Sequence, residues 1–313
     1  MLLHLAGLTA PLFLLVALGY GLSRFGWPRT ASDALTRFVF VVAVPTLLFR
    51  LMSDFSRLPR VDARLLTAFF GGCLLVYAIG RIAGALLFRM DGVSQSVFAM
   101  GGIFSNNVLL GIPLARATLG DASLPAVTLV LVFNSLILWT LVSVSVEWAR
   151  QRDLSPVGLA RTAKGVIRNP VVASIIAGTA FGFIDVRLPV FVDHTLAMIS
   201  DAAVPLSLIA LGMGLAEFGI RAGWRESFAI ALMKLVMQPV AVYALARLLM
   251  LPPLETAAVV VLAALPVGAN VYLMARQFGV LSGAVASSIV LTTALAALTT
   301  PLTLTLIGNT PPP

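Results

Sequence analysis

Asparagine is uncommon inside long apolar stretches, and this chain places three where glycine and proline already interrupt a helix. In GGIFSNNVLLGIPLARATLG, Asn106 and Asn107 stand among Gly101, Gly102, Ser105, Gly111 and Pro113. In LPVGANVYLMARQFG, Asn270 follows Pro266, Val267 and Gly268. A side-chain amide both donates and accepts hydrogen bonds, so it can hold a carboxylate without placing a permanent charge in a bilayer. Proline removes a backbone donor and clashes with the preceding turn, while glycine costs roughly 1 kcal/mol against alanine in a helix. Each stretch is therefore expected to break in mid-membrane, where freed backbone groups are tolerated only inside protein or beside a wet cavity. Paired breaks of this kind are a pointer to a transporter's binding site. Two half-helix N-termini, each carrying about +0.5 of an elementary charge, would aim at one point that suits an anion. The plainer alternative is that the amides cap the broken helix ends.

Two charges also lie deep in apolar sequence. Asp201 and Lys234 each sit about eight residues into their stretches, roughly 12 Å from the starting interface at 1.5 Å per residue. Intramembrane charges are costly and by default functional. Three readings stand: proton coupling at Asp201, anion attraction at Lys234, or an ion pair between them. Asn134 is a further candidate, either facing the site or bonding between helices. No HExxH, GxSxG, P-loop or Cys-His constellation occurs, and no metal-ligand cluster, so neither enzymatic chemistry nor a cofactor is expected. The single cysteine, Cys73, excludes an intrachain disulfide.

The elements that must position these residues follow from composition. With 59% hydrophobic and 11% charged residues and a mean hydropathy of +1.02, the chain reads as an all-α polytopic membrane protein. Its net charge of +8 comes from basic residues dispersed between apolar blocks, which argues against nucleic acid and for membrane topology. Spans of about 20 residues fit ten stretches, near 5–24, 31–53, 63–88, 94–119, 124–148, 168–185, 193–216, 226–250, 255–279 and 282–307. The first lacks a basic leader and is read as a span, not a cleaved signal. Ala43-Val44-Pro45 recurs as Ala203-Val204-Pro205, and Ala115-Arg116 as Ala275-Arg276, both at one offset. The offset predicts a 5+5 repeat: residues 1–149, a cytoplasmic linker 150–167, and residues 168–313. An odd number of spans per half makes the repeat inverted. Thirteen of the 21 Lys and Arg fall on the linker's side, against six or seven opposite. Because the cytoplasmic side carries the excess, both termini are expected outside.

The stretches SNNVLLGIPLARATLG and LPVGANVYLMARQFGV resemble the auxin efflux carrier family, which includes plant PIN-type auxin carriers and bacterial malonate-type carriers. The resemblance extends over nearly the whole chain. It implies that broken fourth and ninth helices cross at the substrate site, with the family's crossover Asn on Asn106 and its second crossover Pro on Pro266. It also implies a scaffold of helices 1, 2, 6 and 7, a moving transport domain of helices 3–5 and 8–10, and a homodimer through the scaffold. Ser105 stands where the plant pattern has Pro and Val267 where it has Gln, and the plants' long hydrophilic loop is missing, so auxin itself is not implied. The expected binding set is Asn106, Asn107, Gly111, Pro113, Asn134, Pro266, Val267, Gly268 and Asn270. The function expected is secondary transport of a small organic anion across the cytoplasmic (inner) membrane by an elevator motion, with H+ or Na+ as candidate coupling ions. The alternatives are a cation antiporter, which normally needs carboxylates at the break, and a non-transporting receptor or assembly factor.

Overall fold

A lipid-embedded backbone must satisfy its own polar groups, and helices do so within one segment. The computed structural model describes residues 2–53, 62–151, 167–184, 188–218 and 223–308, with residues 157, 160 and 164 between them. Most of the expected linker lies outside these residues. Helices α1 (Leu2–Arg24), α2 (Arg29–Phe38), α3 (Val44–Ser53), α4 (Ala63–Leu86), α5 (Gly92–Gly101), α6 (Ile112–Leu119) and α7 (Leu124–Gln151) form the first half. The second holds α8 (Pro170–Phe183), α9 (Val190–Phe218), α10 (Trp224–Leu232), α11 (Gln238–Leu248), α12 (Pro253–Ala263), α13 (Ala269–Phe278) and α14 (Ser282–Gly308).

Local chemistry sets several helix starts. Asp91 accepts the N–H groups of Val93 and Ser94 at 2.9 and 2.8 Å to open α5. Asn169 accepts that of Val171 at 3.0 Å to open α8, with Pro170 in the first helical position, where its missing N–H costs nothing. Three one-turn π segments, Val39–Ala43, Asn107–Gly111 and Met233–Met237, each run into a helix whose second residue is proline: Pro45, Pro113 and Pro239. A proline cannot donate to the carbonyl four residues back and its ring crowds it, so a wider turn relieves both faults. Pro301 acts more bluntly, since α14 bends by 53° between Ser282–Ala296 and Leu298–Leu306.

Among the described residues, five helical runs are long and apolar enough to cross a bilayer alone: Arg29–Arg50, Ala63–Leu86, Asp121–Gln151, Val190–Ala216 and Trp224–Leu248. The bent α14 pair makes a sixth, and Leu14–Arg24, Pro170–Phe183 and Pro253–Ala263 are shorter apolar helices. The protein is thus a multi-pass helical membrane protein.

Helices α1, α3, α8 and α9 pack in one group, and α4 packs on α5 and α11 in another. The α1–α9 contact is made backbone to backbone. A Cβ on Gly212 would lie 2.0 Å from the Val16 carbonyl oxygen, and one on Gly19 equally close to that of Ile209. Arg81, which the charge count assigns to the linker's side, instead ties helices together. Its guanidinium donates to Ser96 at 3.1 Å and Gln95 at 3.3 Å, and also to Ser145, joining α4, α5 and α7.

Candidate functional site

The two helix interruptions meet. Helix α5 ends at Gly101, and helical structure resumes at Asn107; α12 ends at Ala263, and α13 begins at Ala269. Between those ends Ser105 and Val267 form an isolated antiparallel bridge. The Asn106 N–H donates to the Pro266 carbonyl at 2.9 Å, and the Gly268 N–H donates to that of Phe104 at 2.8 Å. The Val267 N–H donates to Thr292 Oγ1 on α14 at 3.1 Å. Backbone that would be costly to expose is therefore paired across the two breaks.

A cavity of about 40 Å³ opens beside this bridge. Asn106, Asn107, Asn134, Gly268 and Asn270 line it, with Val44, Leu47, Ala203, Val204 and Ser207 of α3 and α9 opposite. It has room for two or three waters. None of its lining residues is charged. Helix α13 opens at Gly268 with no side chain capping it, and Asn106, at the head of the Asn107–Gly111 turn, makes no side-chain cap bond either. The capping reading of the asparagines thus finds no support at Asn106.

Amide atoms of Asn107 and Asn134 are instead left without partners. Asn107 is 3% exposed and Asn134 5% exposed, yet both amide atoms of Asn107 and Oδ1 of Asn134 lack a hydrogen bond. Ser105 Oγ, on a residue 2% exposed, is a further orphan. A buried unsatisfied polar atom costs roughly 1–3 kcal/mol. Several around one cavity form a ready-made set of donors and acceptors.

Other expected residues fall elsewhere. Gly111 packs against α12, where a Cβ would meet Leu262 at 2.8 Å. Pro266 and Val267 are buried in the bridge and do not line the cavity, while Pro113 sits at the start of α6. Asp201 is exposed on α9. Lys234 is fully buried and donates to the Ala263 carbonyl at 2.5 Å. No ion pair joins these two among the described residues: helical rise brought them to one depth but not onto facing sides. Of the lining residues, the expected set missed Phe104, Ser105 and Ala269 at the breaks, Leu131 on α7 and, on α3 and α9, Val44, Leu47, Ala203, Val204 and Ser207. The duplicated Ala-Val-Pro was the signal on α3 and α9, because each copy contributes a lining residue.

A wider groove of about 800 Å³ lies alongside, bordered by Asp33, Arg37 and Val41 on the α2 side and Arg276, Gln277 and Ser282 on the α13–α14 side. Arg276, with a side chain only 13% exposed, forms an ion pair with Asp33 across it. Asn270 to Arg276 on α13 spans six residues, so groove and cavity stand about 9 Å apart along one helix.

Multiple apolar helices, a paired backbone bridge and an uncharged polar chamber between helices describe a protein built around a solute path. The family described as membrane transport protein matches residues 5–304, so the protein is a membrane transporter. The chain belongs to the auxin efflux carrier family. A protein of Rhizobium meliloti (strain 1021), provisionally named a malonate transporter, is 28% identical over 95% of this chain and 93% of its own. An uncharacterized transporter of Methanocaldococcus jannaschii is 24% identical, covering 90% and 91%. Auxin efflux carrier component 8 of Arabidopsis thaliana is 20% identical, covering 88% and 89%.

Proposed function

We propose that this transporter carries a small organic anion, a carboxylate, across the cytoplasmic membrane by alternating access at the bridged interruptions. The observation that carries the reading is the set of buried, unpartnered amide atoms of Asn107 and Asn134 around an uncharged cavity. Amide donors and the open N-terminal end of α13 favour negative charge. A cation antiporter would want a carboxylate there, and the lining has none. The name of the Rhizobium relative supports the same class of substrate, and malonate is the natural first probe.

In this reading the chain is a ten-helix 5+5 inverted repeat whose fourth span is α5–α6 and ninth is α12–α13, broken and crossing at the bridge. The first, second, sixth and seventh spans form the scaffold, and the other six form the transport domain. The cavity lies between the two groups, with α3 and α9 on one side and the interruptions on the other. At about 40 Å³ it is closed to a molecule of seven heavy atoms such as malonate, so an elevator slide of the transport domain opens it. Both termini lie outside, which puts the groove of Arg37 and Arg276 on the cytoplasmic side as a basic antechamber. The protomers pair through the scaffold. A membrane potential acts on a monovalent anion with about 2.3 kcal/mol per 100 mV, so uniport needs no coupling ion.

A thermal-shift panel on the detergent-purified protein tests the site. Malonate, monocarboxylates, aromatic carboxylates and monovalent cations are compared beside an Asn106→Ala control. A ligand at 100 times its Kd stabilises by about 2.7 kcal/mol. A carboxylate shift lost in the variant is the expected result; a response to cations alone would overturn the organic-anion assignment.

A further inference from the structure

A helix leaves its last four carbonyls without partners, and its C-terminus carries about −0.5 of an elementary charge. Here two such ends, those of α5 and α12, lie deep in the protein on either side of the bridge. One turn of the eighth span reaches both. Lys234, in the π turn Met233–Met237, donates to the carbonyl of Ala263, the last residue of α12. Gln238, four residues on, donates through Nε2 to the carbonyl of Ile103 at 2.9 Å, two residues past the end of α5. Both side chains are 0% exposed.

The packing around the pair is tight, although Gln238 Oε1 is buried without a partner. A Cβ on Gly102 would stand 2.9 Å from Met233 Cβ, so the end of α5 lies directly on the same π turn. Gln238 Nε2 also reaches Cys73 Sγ of α4 at 3.2 Å. Pro239 follows at once, and the wide turn it imposes sets the spacing of the two donors. The corresponding positions in the first repeat are Leu74 and Ala78. Nothing equivalent can be built there, so the device belongs to one half only.

We propose that Lys234 and Gln238 are positioning residues, a buried two-point clamp that holds the two helix interruptions at one separation and makes the eighth span move with them. Lys234 donates whether its nitrogen is ammonium or amine, and as ammonium it also neutralises the end of α12. The clamp fixes the spacing of Asn106, Asn107 and Asn270, the amides on which the proposed anion site rests. Lys234 thus acts through the backbone it holds, without touching the solute.

The test uses the full chain with Lys234→Met and Gln238→Leu. Amide hydrogen exchange is read in peptides covering 103–107 and 264–270, with peptides of α3 and α8 as internal controls. Each single variant is expected to speed exchange about tenfold or more in both target peptides while the controls hold. The double variant should add little, as expected of groups acting as a unit. Faster exchange only beside the severed contact, or equally across the chain, would overturn the clamp; two independent variants guard against one failing to fold. In proteoliposomes, KM for malonate should rise about tenfold with a much smaller change in maximal rate. Exchange does not depend on the solute. If it responds as expected while the wild-type protein ignores malonate, the clamp stands and the malonate assignment falls.

Discussion

Replacing Asn107 by leucine should make the protein more stable and a worse binder. Both amide atoms of Asn107 are buried without partners, and each such atom costs roughly 1–3 kcal/mol. Leucine keeps a similar volume and removes both orphans. Water in the adjoining cavity of about 40 Å³ offsets part of that cost, so the net gain is set at about 1 kcal/mol. A hydrogen bond to a charged carboxylate contributes about 1.5–3 kcal/mol. Losing one weakens binding by roughly 10- to 150-fold. Two assays on the same samples decide the matter: the melting temperature without solute, and malonate affinity by calorimetry. An unfilled site at Asn107 requires the melting temperature to rise as affinity falls. A variant that melts lower and binds malonate as tightly as wild type would refute it, because Asn107 would then be satisfied structure and not an unfilled site.

Four further outcomes follow from the geometry. Arg276→Gln removes the guanidinium that pairs with Asp33 at the groove; malonate uptake should slow several-fold at low ionic strength and lose much of its salt dependence, as expected when steering charge is removed. Gly212→Val would force a side chain into the Val16 carbonyl, so the folded fraction in size-exclusion chromatography should collapse. Asp201→Asn, on an exposed residue outside the cavity, should leave uptake and its pH dependence unchanged; loss of that dependence would replace uniport by proton coupling. Asp62 caps α4 by accepting the Arg64 N–H at 2.8 Å. Slight desolvation pushes its carboxyl up, but the Arg64 hydrogen bonds and charge outweigh this and hold it below the usual 3.8. A depressed carboxylate stabilises above its unfolded value and loses that contribution as pH falls through the folded one. Asp62→Ala should therefore cost about 0.5–2 kcal/mol at neutral pH and less as the pH falls through the depressed folded value below 3.8, where the carboxyl loses its charge but keeps an acceptor oxygen, read by melting temperature across pH.

The sequence made the helices and their breaks legible because both arise from local chemistry. Gly101, Gly102, Pro266 and Gly268 are poor helix residues whatever surrounds them, and the interruptions fall where they stand. Hydropathy likewise marked the apolar stretches, and helix occupies each of them. What needed the structure was direction around a helix axis. Asp201 and Lys234 stand at comparable positions along their apolar stretches, yet one is exposed and the other buried against α12, because rise per residue fixes height and says nothing about facing. Lys234 lies in the π turn before Pro239 and Gln238 directly after it, and the wider turn departs from the regular helical period where both side chains reach the interruptions. No period of 3.6 anticipates that departure. The lining from α3 and α9 was half legible: Ala-Val-Pro stood out by its repetition, but repetition says nothing about which of its side chains face a cavity, and here its alanine and valines do.

Electrogenic anion uniport is decided by uptake of labelled malonate into proteoliposomes under an imposed potassium-diffusion potential, without sodium or a pH gradient. At 100 mV, inside positive, each negative charge gains about 2.3 kcal/mol, so malonate, a dianion at neutral pH, gains about 4.6 kcal/mol, enough for roughly two-thousand-fold accumulation. Uniport requires accumulation that reverses with the sign of the potential and disappears in Asn106→Ala. Uptake that ignores the potential and appears only with sodium or a proton gradient would contradict it.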